Sequence, residues 1–188
     1  MIRPAAVEDA GALARVHAAA WAETYAGIAP PEVLARWTVA DRAARWHRIL
    51  TGDPPNPHRA EVAVLDLGGT VMGFASWGEQ RDDALRESGL GGEFSAIYLL
   101  RAAQGRGHGR ALMAHAAQSL LRRGHRGASV WVLRDNPQAR GFYERLGGTL
   151  CGEAEDSLAD LPVAVVGYAW PALDAIGARE MPGVGSSQ

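Results

Sequence analysis

Residues 93–110 read EFSAIYLLRAAQGRGHGR, and the order of residue types in them decides the fold. The apolar run Phe94 to Leu100 has the length and character of a buried strand. Small and polar residues follow, then Gln104-Gly105-Arg106-Gly107-His108-Gly109-Arg110. From Ala111 to Arg123, Leu112, Met113, Ala116, Ala117, Leu120 and Leu121 recur at helical spacing, and Gly124 is placed to end that helix. Strand, glycine-rich turn and helix together present free backbone N–H groups at the positive end of a helix dipole. That combination is an anion site suited to phosphate.

The flanking sequence builds one domain around this unit. The spacing predicts a helix over Val7 to Tyr25, ended by Gly27 and Pro30-Pro31, and a second helical region over Glu32 to Leu50, with Asp41 as a cap for its second half. Residues 51–57 hold three prolines in four positions and read as a loop. Ala60 to Leu67, Gly68-Gly69 and Thr70 to Gly78 read as a hairpin. Gln80 to Gly92 is a polar loop with room for a helical turn. After the organising unit come a strand over Ala128 to Leu133 and a helix over Gln138 to Leu146. A last hairpin pairs Thr149 to Glu153 with Pro162 to Trp170 around an acidic loop, Ala154 to Leu161. This order predicts an α/β domain with a mixed sheet and helices on both faces. The domain is expected over 1–172. Residues 173–188 form an expected tail, disordered in its glycine-rich part from Gly177.

Bulk composition narrows the ligand. The 188 residues are 47% apolar and 21% charged, and the net charge is -2. No broad basic field points to nucleic acid, so the phosphate belongs to a small molecule. No apolar stretch has the length of a membrane span, and no signal pattern opens the chain. A single cysteine, Cys151, fits a reducing, cytoplasmic setting. The six histidines show no metal-ligand spacing, and no metal is expected. His17 falls on an apolar helix face and reads as a core histidine.

Two motifs resemble those of the GNAT superfamily of acyl-CoA-dependent N-acyltransferases. Gln104 to Gly109 fits its Q/R-x-x-G-x-G/A loop. Asn136-Pro-Gln-Ala-Arg-Gly-Phe142-Tyr143-Glu-Arg-Leu-Gly147 fits its N…A…FYE-x-LGF segment, with Gly148 in place of the usual aromatic. The resemblance spans roughly residues 1–170, and it implies a mostly antiparallel sheet with a splayed parallel pair. It also implies acetyl-CoA as co-substrate. Gln104, Gly105, Arg106, Gly107, His108, Gly109 and Arg110 would hold the pyrophosphate. Backbone at Ile97 and Leu99, with Asn136, would hold the pantetheine arm. Rival phosphate motifs fit less well: a Rossmann loop needs glycine where Arg110 stands, and a P-loop needs G-K-S/T.

Acetyl transfer needs an acid for the departing thiolate and a route for the amine proton. The resemblance assigns the acid to Tyr143 and a base to Glu93, with Glu79 or a water chain as alternatives. Leu99 N–H would polarise the carbonyl. Residues 21–28 resemble a bacterial branch that includes spermidine/spermine N-acetyltransferases. There Glu23 and Tyr25 are candidate acceptor ligands, with Trp77, Glu79 and Arg81 on the opposite wall. Cation–π contacts favour a cationic amine, whereas Arg81 favours an acceptor bearing a carboxylate. The expected partners are acetyl-CoA and an amine, and the resemblance allows a homodimer. The alternative function is a non-catalytic acyl-CoA-binding or regulatory module.

Overall fold

The computed structural model describes residues 1–25, 30, 38–53, 60–158 and 161–178. Among them the strands form one seven-stranded sheet in the order β1-β2-β3-β4-β5-β7-β6. The strands are β1 (Ile2–Pro4), β2 (Glu61–Leu67), β3 (Thr70–Glu79), β4 (Gly92–Leu99), β5 (Ala128–Leu133), β6 (Thr149–Leu158) and β7 (Leu161–Trp170). Every neighbouring pair is antiparallel except β4 and β5. The helices are α1 (Ala10–Tyr25), α2 (Val39–Thr51), α3 (Asp83–Glu87), α4 (His108–Arg122), α5 (Pro137–Arg145) and α6 (Ala175–Ala178).

Alternation along the strands divides the core in two. Val62, Val64 and Phe74 face α1 and α2, where they meet Leu13, Ala14, Val16 and Trp46. Ala63, Leu65, Ala75 and Trp77 face the other way, onto Leu112, Met113, Ala116 and Leu120 of α4. Fully burying side chains of the size of Leu112 or Leu120 stabilises by roughly 1.5–3 kcal/mol each. The apolar stripe of α4 therefore anchors the organising unit against the sheet.

The β4–β5 pair is short. Only Gly92↔Ala128 and Glu93↔Ser129 are in register, and beyond them the strands separate. Close approach at this apex requires glycine: a Cβ on Gly92 would lie 2.8 Å from Leu120 Cδ1 and 3.2 Å from Ala128 Cβ. Gln80, 1% exposed, pins the apex. Its Nε2 donates to Ser129 Oγ at 2.6 Å and to Gly92 O at 3.3 Å. One residue further on, β4 carries a bulge. Ser76 pairs with Ala96 and Trp77 with Phe94, so Ser95 is the extra residue. The bulge resets the alternation: Phe94, Ile97 and Leu99 lie on the α4 side, whereas Ala96 and Tyr98 lie on the α1 side.

Three expectations change. The cap of α2 is Thr38, whose Oγ1 accepts from Asp41 N at 3.1 Å, while Asp41 reciprocates by accepting from Thr38 N at 3.1 Å. Asp41 is thus the second member of a capping box rather than the cap. The first part of the helix expected from Glu32, residues 32–37, lies outside the described residues. The acidic segment after Glu153 is strand to Leu158, pairing with β7 down to Leu158↔Leu161. Glu153, Glu155 and Asp156 are exposed on this two-stranded arm, where burial is not required. Finally, Leu173 and Ile176, each 1% exposed, pack into the α4-side core. The domain therefore extends past 172 to Ala178, and residues 179–188 lie outside the described residues.

Gly148, the departure from the second motif, also finds a cause. Trp170 of β7 fills the space beside it: a Cβ there would come within 2.7 Å of Trp170 Cζ2 and 3.0 Å of Tyr143 O. Trp170 Nε1 donates to Leu146 O at 3.1 Å, so the indole cannot retreat freely. Gly148→Ala is therefore expected to cost about 1–3 kcal/mol. Urea denaturation measures this; an unchanged midpoint would show that the Trp170 contact relaxes without cost.

Candidate active site

Separation of β4 from β5 opens a groove of about 650 Å³ on the α4 side. Ile97, Leu99, Gln104, Gly105, Gly107, Gly109, Arg110, Asn136 and Tyr143 all line it. Gly105 and Gly107 have φ of 71° and 80°, and nothing lies within 4 Å of a Cβ built on either, so the turn shows bare backbone to open space. Gly107 is the N-cap of α4, and the first helical bond is Ala111 N to Gly107 O at 3.0 Å. Amides of the preceding turn have no intrahelical acceptor, as at any helix start. Gly109 has a different reason. A Cβ there would stand 3.1 Å from Phe142 Cε2, so glycine lets α5 pack on α4. Gln104 Nε2 donates to Leu99 O at 3.0 Å and its Oε1 accepts from Gln138 at 2.9 Å, fixing the turn to the end of β4. Arg106 and His108 are not among the groove-lining residues, unlike Arg110. Arg106 is exposed.

Asn136 is buried and caps α5, its Oδ1 accepting from Ala139 N at 3.0 Å. That oxygen is committed, so a contact with a groove ligand falls to the Nδ2 amide. Tyr143 is 6% exposed, edge-on to Trp170 and tilted against Phe142 and Tyr168. Burial, then the nearby Tyr25, pushes its phenol well above the usual range, so it stays protonated.

A second cavity, about 660 Å³, lies on the α1–α2 side of β4. His17, Trp21, Trp46 and Tyr98 form its aromatic wall. Gly78, Glu79, Arg81 and Glu93 line it as well. The two cavities share Ser95, Ala96, Tyr98 and Asp156. They meet where the bulge turns β4, with the β6 arm bringing Asp156 to the junction.

Glu93 is buried in this wall, and Arg81 holds both of its oxygens. Arg81 Nε donates to Oε2 at 2.9 Å, its backbone N reaches the same oxygen at 3.3 Å, and its Nη2 bonds Oε1. The pair raises the Arg81 pKa. Glu79 accepts from Arg123 Nη2 at 3.1 Å. His17 sits among the rings of Trp21, Trp46, Phe74 and Tyr98. Burial, then Arg42 and Arg45, lowers its pKa to about 3. It is a neutral wall residue rather than a closed core one.

Three acceptor candidates lie elsewhere. Glu23 lines neither cavity. Its carboxylate accepts from Arg101 N at 3.1 Å and fastens α1 to the turn after β4. Tyr25 lines the groove instead of the cavity. Trp77, 2% exposed, faces the α4 side, edge-on to His115. Strand alternation explains it: Trp77 and Glu79 share a parity, but Glu79 ends the strand beyond the core. Sequence reading missed Ser95, Tyr98, Asp156, Trp46 and Gln80. The lone Ser95 inside an apolar run was a legible bulge signal. Nothing local marked Asp156 or Gln80.

The family model for the acetyltransferase (GNAT) family matches residues 17–148. The chain belongs to this GNAT family. An uncharacterised N-acetyltransferase from Bacillus subtilis, YuaI, is 34% identical over 176 residues, covering 93% of this chain and 95% of that protein. The GNAT architecture recurs in the PaiA N-acetyltransferase from Thermoplasma acidophilum, solved in complex with coenzyme A. Its TM-score is 0.71 at 18% identity, over 90% of this chain and 98% of that one. The Salmonella typhimurium protein YncA, solved with its cofactor acetyl-CoA, gives 0.63 at 21% identity over 98% of both chains. Among the described residues of this GNAT chain, no helix is long and apolar enough to cross a membrane.

His17 makes the wall sensitive to acid. The unfolded chain binds its proton near pH 6.5, the folded chain only near pH 3. Its contribution is complete above pH 6.5 and is lost as pH falls toward 3. The unfolding free energy of the wild type minus that of His17→Phe should therefore fall by up to about 1.4 kcal/mol per pH unit between about pH 6 and 4. Urea titrations measure it; a pH-independent difference would mean that His17 charges freely in the folded protein.

Proposed function

We propose that the protein moves an acetyl group from acetyl-CoA to a primary amine by direct transfer in a ternary complex. One observation carries this reading: two cavities on opposite sides of β4 meet at Ser95, Ala96, Tyr98 and Asp156. A donor in the groove and an acceptor in the cavity then face each other without a covalent enzyme intermediate. The groove residues fit acetyl-CoA. The stretch of β4 at Ile97–Leu99, paired with β3 but not with β5, offers main-chain groups to the amides of a pantetheine arm. The open backbone at Gly105 and Gly107, the start of α4 and Arg110 suit a pyrophosphate.

The reaction forms a C–N bond and breaks a C–S bond, and each end needs a proton moved. Leu99 N–H polarises the carbonyl. Tyr143, kept protonated by burial, gives its proton to the departing sulfur. The amine proton leaves toward Glu93 in the acceptor wall, carried there by water because Arg81 covers both carboxylate oxygens. Arg81 thereby orients the carboxylate. The same ion pair favours a second reading, a non-catalytic acyl-CoA-binding module, in which Glu93 is only structural.

CoA release in the presence of acetyl-CoA and a panel of primary amines separates the two. Tight acetyl-CoA binding without release on any amine would support the module. For the acid, Tyr143→Phe is expected to lower kcat by about 10²–10⁴-fold and to leave acetyl-CoA affinity nearly unchanged. Equal kcat in both proteins would reduce Tyr143 to packing.

A further inference from the structure

The β6 arm carries three acids, Glu153, Glu155 and Asp156, and strand alternation separates them. Asp156 pairs with Val163 and Ala154 with Val165, while Gly152 and Trp131 both pair with Gly167. Gly152, Ala154 and Asp156 therefore share the face of Trp131 and Val165. The contact beside Gly152 agrees: a Cβ there would lie 3.4 Å from Trp131 Cη2. Glu153 and Glu155 point the other way, and Glu153 acts electrostatically on Arg140 of α5. Of the three acids only Asp156 lines the cavities, and it lines both.

The other acids of the acceptor cavity are engaged or lie away from the junction. Arg81 bonds both oxygens of Glu93, and Glu79 accepts from Arg123. Asp53 lines the acceptor cavity but not the groove. Asp156 differs from all three. Its Oδ1 accepts from Ser157 N at 2.7 Å, and among the described residues no ion pair includes it. Arg81 feels its charge but is bonded to Glu93. The Asp156 side chain is exposed, so it keeps its charge at little desolvation cost. An anionic oxygen, Oδ2, is thus left where the two cavities meet.

A primary alkylamine arrives as an ammonium ion, since such a group, like that of lysine, loses its proton only near pH ~10. That cation has to be held at the junction before it gives up a proton and attacks. The other residues shared by the two cavities, Ser95, Ala96 and Tyr98, are neutral. Their hydroxyls can accept from an ammonium but cannot balance its charge. A carboxylate does both, and a hydrogen bond to it is about twice as strong as one to a neutral group. We propose that Asp156 docks the acceptor as its ammonium ion, and so makes the enzyme select acceptors that are cations. One N–H of the ammonium donates to Asp156 Oδ2. Another proton leaves through water toward Glu93, and the freed lone pair attacks the thioester carbonyl. Asp156 stays ionised throughout. This rests on the acetyl-transfer reading above and adds to it the residue that selects the acceptor.

Asp156→Asn tests this, because it keeps the shape and an oxygen for Ser157 N while removing the charge. CoA release is followed with acetyl-CoA and a panel of primary amines in the wild type, Asp156→Asn, Asp156→Glu and Glu155→Gln. Asp156→Asn is expected to raise the amine KM about tenfold or more, with kcat within about threefold and acetyl-CoA affinity unchanged. Asp156→Glu is expected to recover part of that loss. Glu155→Gln removes a neighbouring charge from the opposite face and should match the wild type. An amine KM unchanged in Asp156→Asn overturns the proposal and leaves acetyl transfer standing. An equal rise in Glu155→Gln overturns it too, because the effect would then be a general field. A lower kcat at unchanged KM would make Asp156 a proton acceptor and overturn the docking role. No release from the wild type with any amine removes the reading beneath it, and the proposal with it.

Discussion

The site depends on a sheet interaction that stops early. β4 and β5 pair at Gly92↔Ala128 and Glu93↔Ser129 and nowhere beyond. Gly92 lets the strands approach, and the buried Gln80 amide ties them at Ser129 and Gly92. Everything past this apex follows from the missing pairing. Backbone groups of β4 that a full sheet would consume are left facing a groove. The same divergence gives α5 a place to project Asn136, Phe142 and Tyr143 into that groove.

The bulge at Ser95 is the second constraint. Without it, Glu93 and Tyr98 would lie on opposite faces of β4, because an odd number of steps separates them. With one residue added, Glu93, Ala96 and Tyr98 share the α1 side, while Ile97 and Leu99 share the groove side. One strand thus serves two cavities, and Ser95 itself lies in both. The Ser76–Ser95 hydroxyl pair, 2.8 Å apart, holds the bulge to β3.

Much of this was legible in the sequence because it rests on local rules. The organising strand, the glycine turn and α4 follow from apolar periodicity and from Gly105 and Gly107, where φ is positive. Tyr143 and Asn136 entered through a motif, and both line the groove. What escaped depends on contacts distant in sequence. Asp156 reaches the junction only because β6 runs on along β7. Trp77 looked like a wall residue until its parity on β3 turned it toward α4. Glu23 looked like a ligand until the turn after β4 took its carboxylate.

Amide hydrogen exchange with and without acetyl-CoA tests the central claim most directly, because the claim concerns backbone groups. Added acetyl-CoA is predicted to slow exchange at Ile97 to Leu99 and at Gly105 to Arg110, with no comparable effect from NAD. Binding that leaves both segments unprotected, or protection confined to the α1–α2 side of β4, would contradict the account.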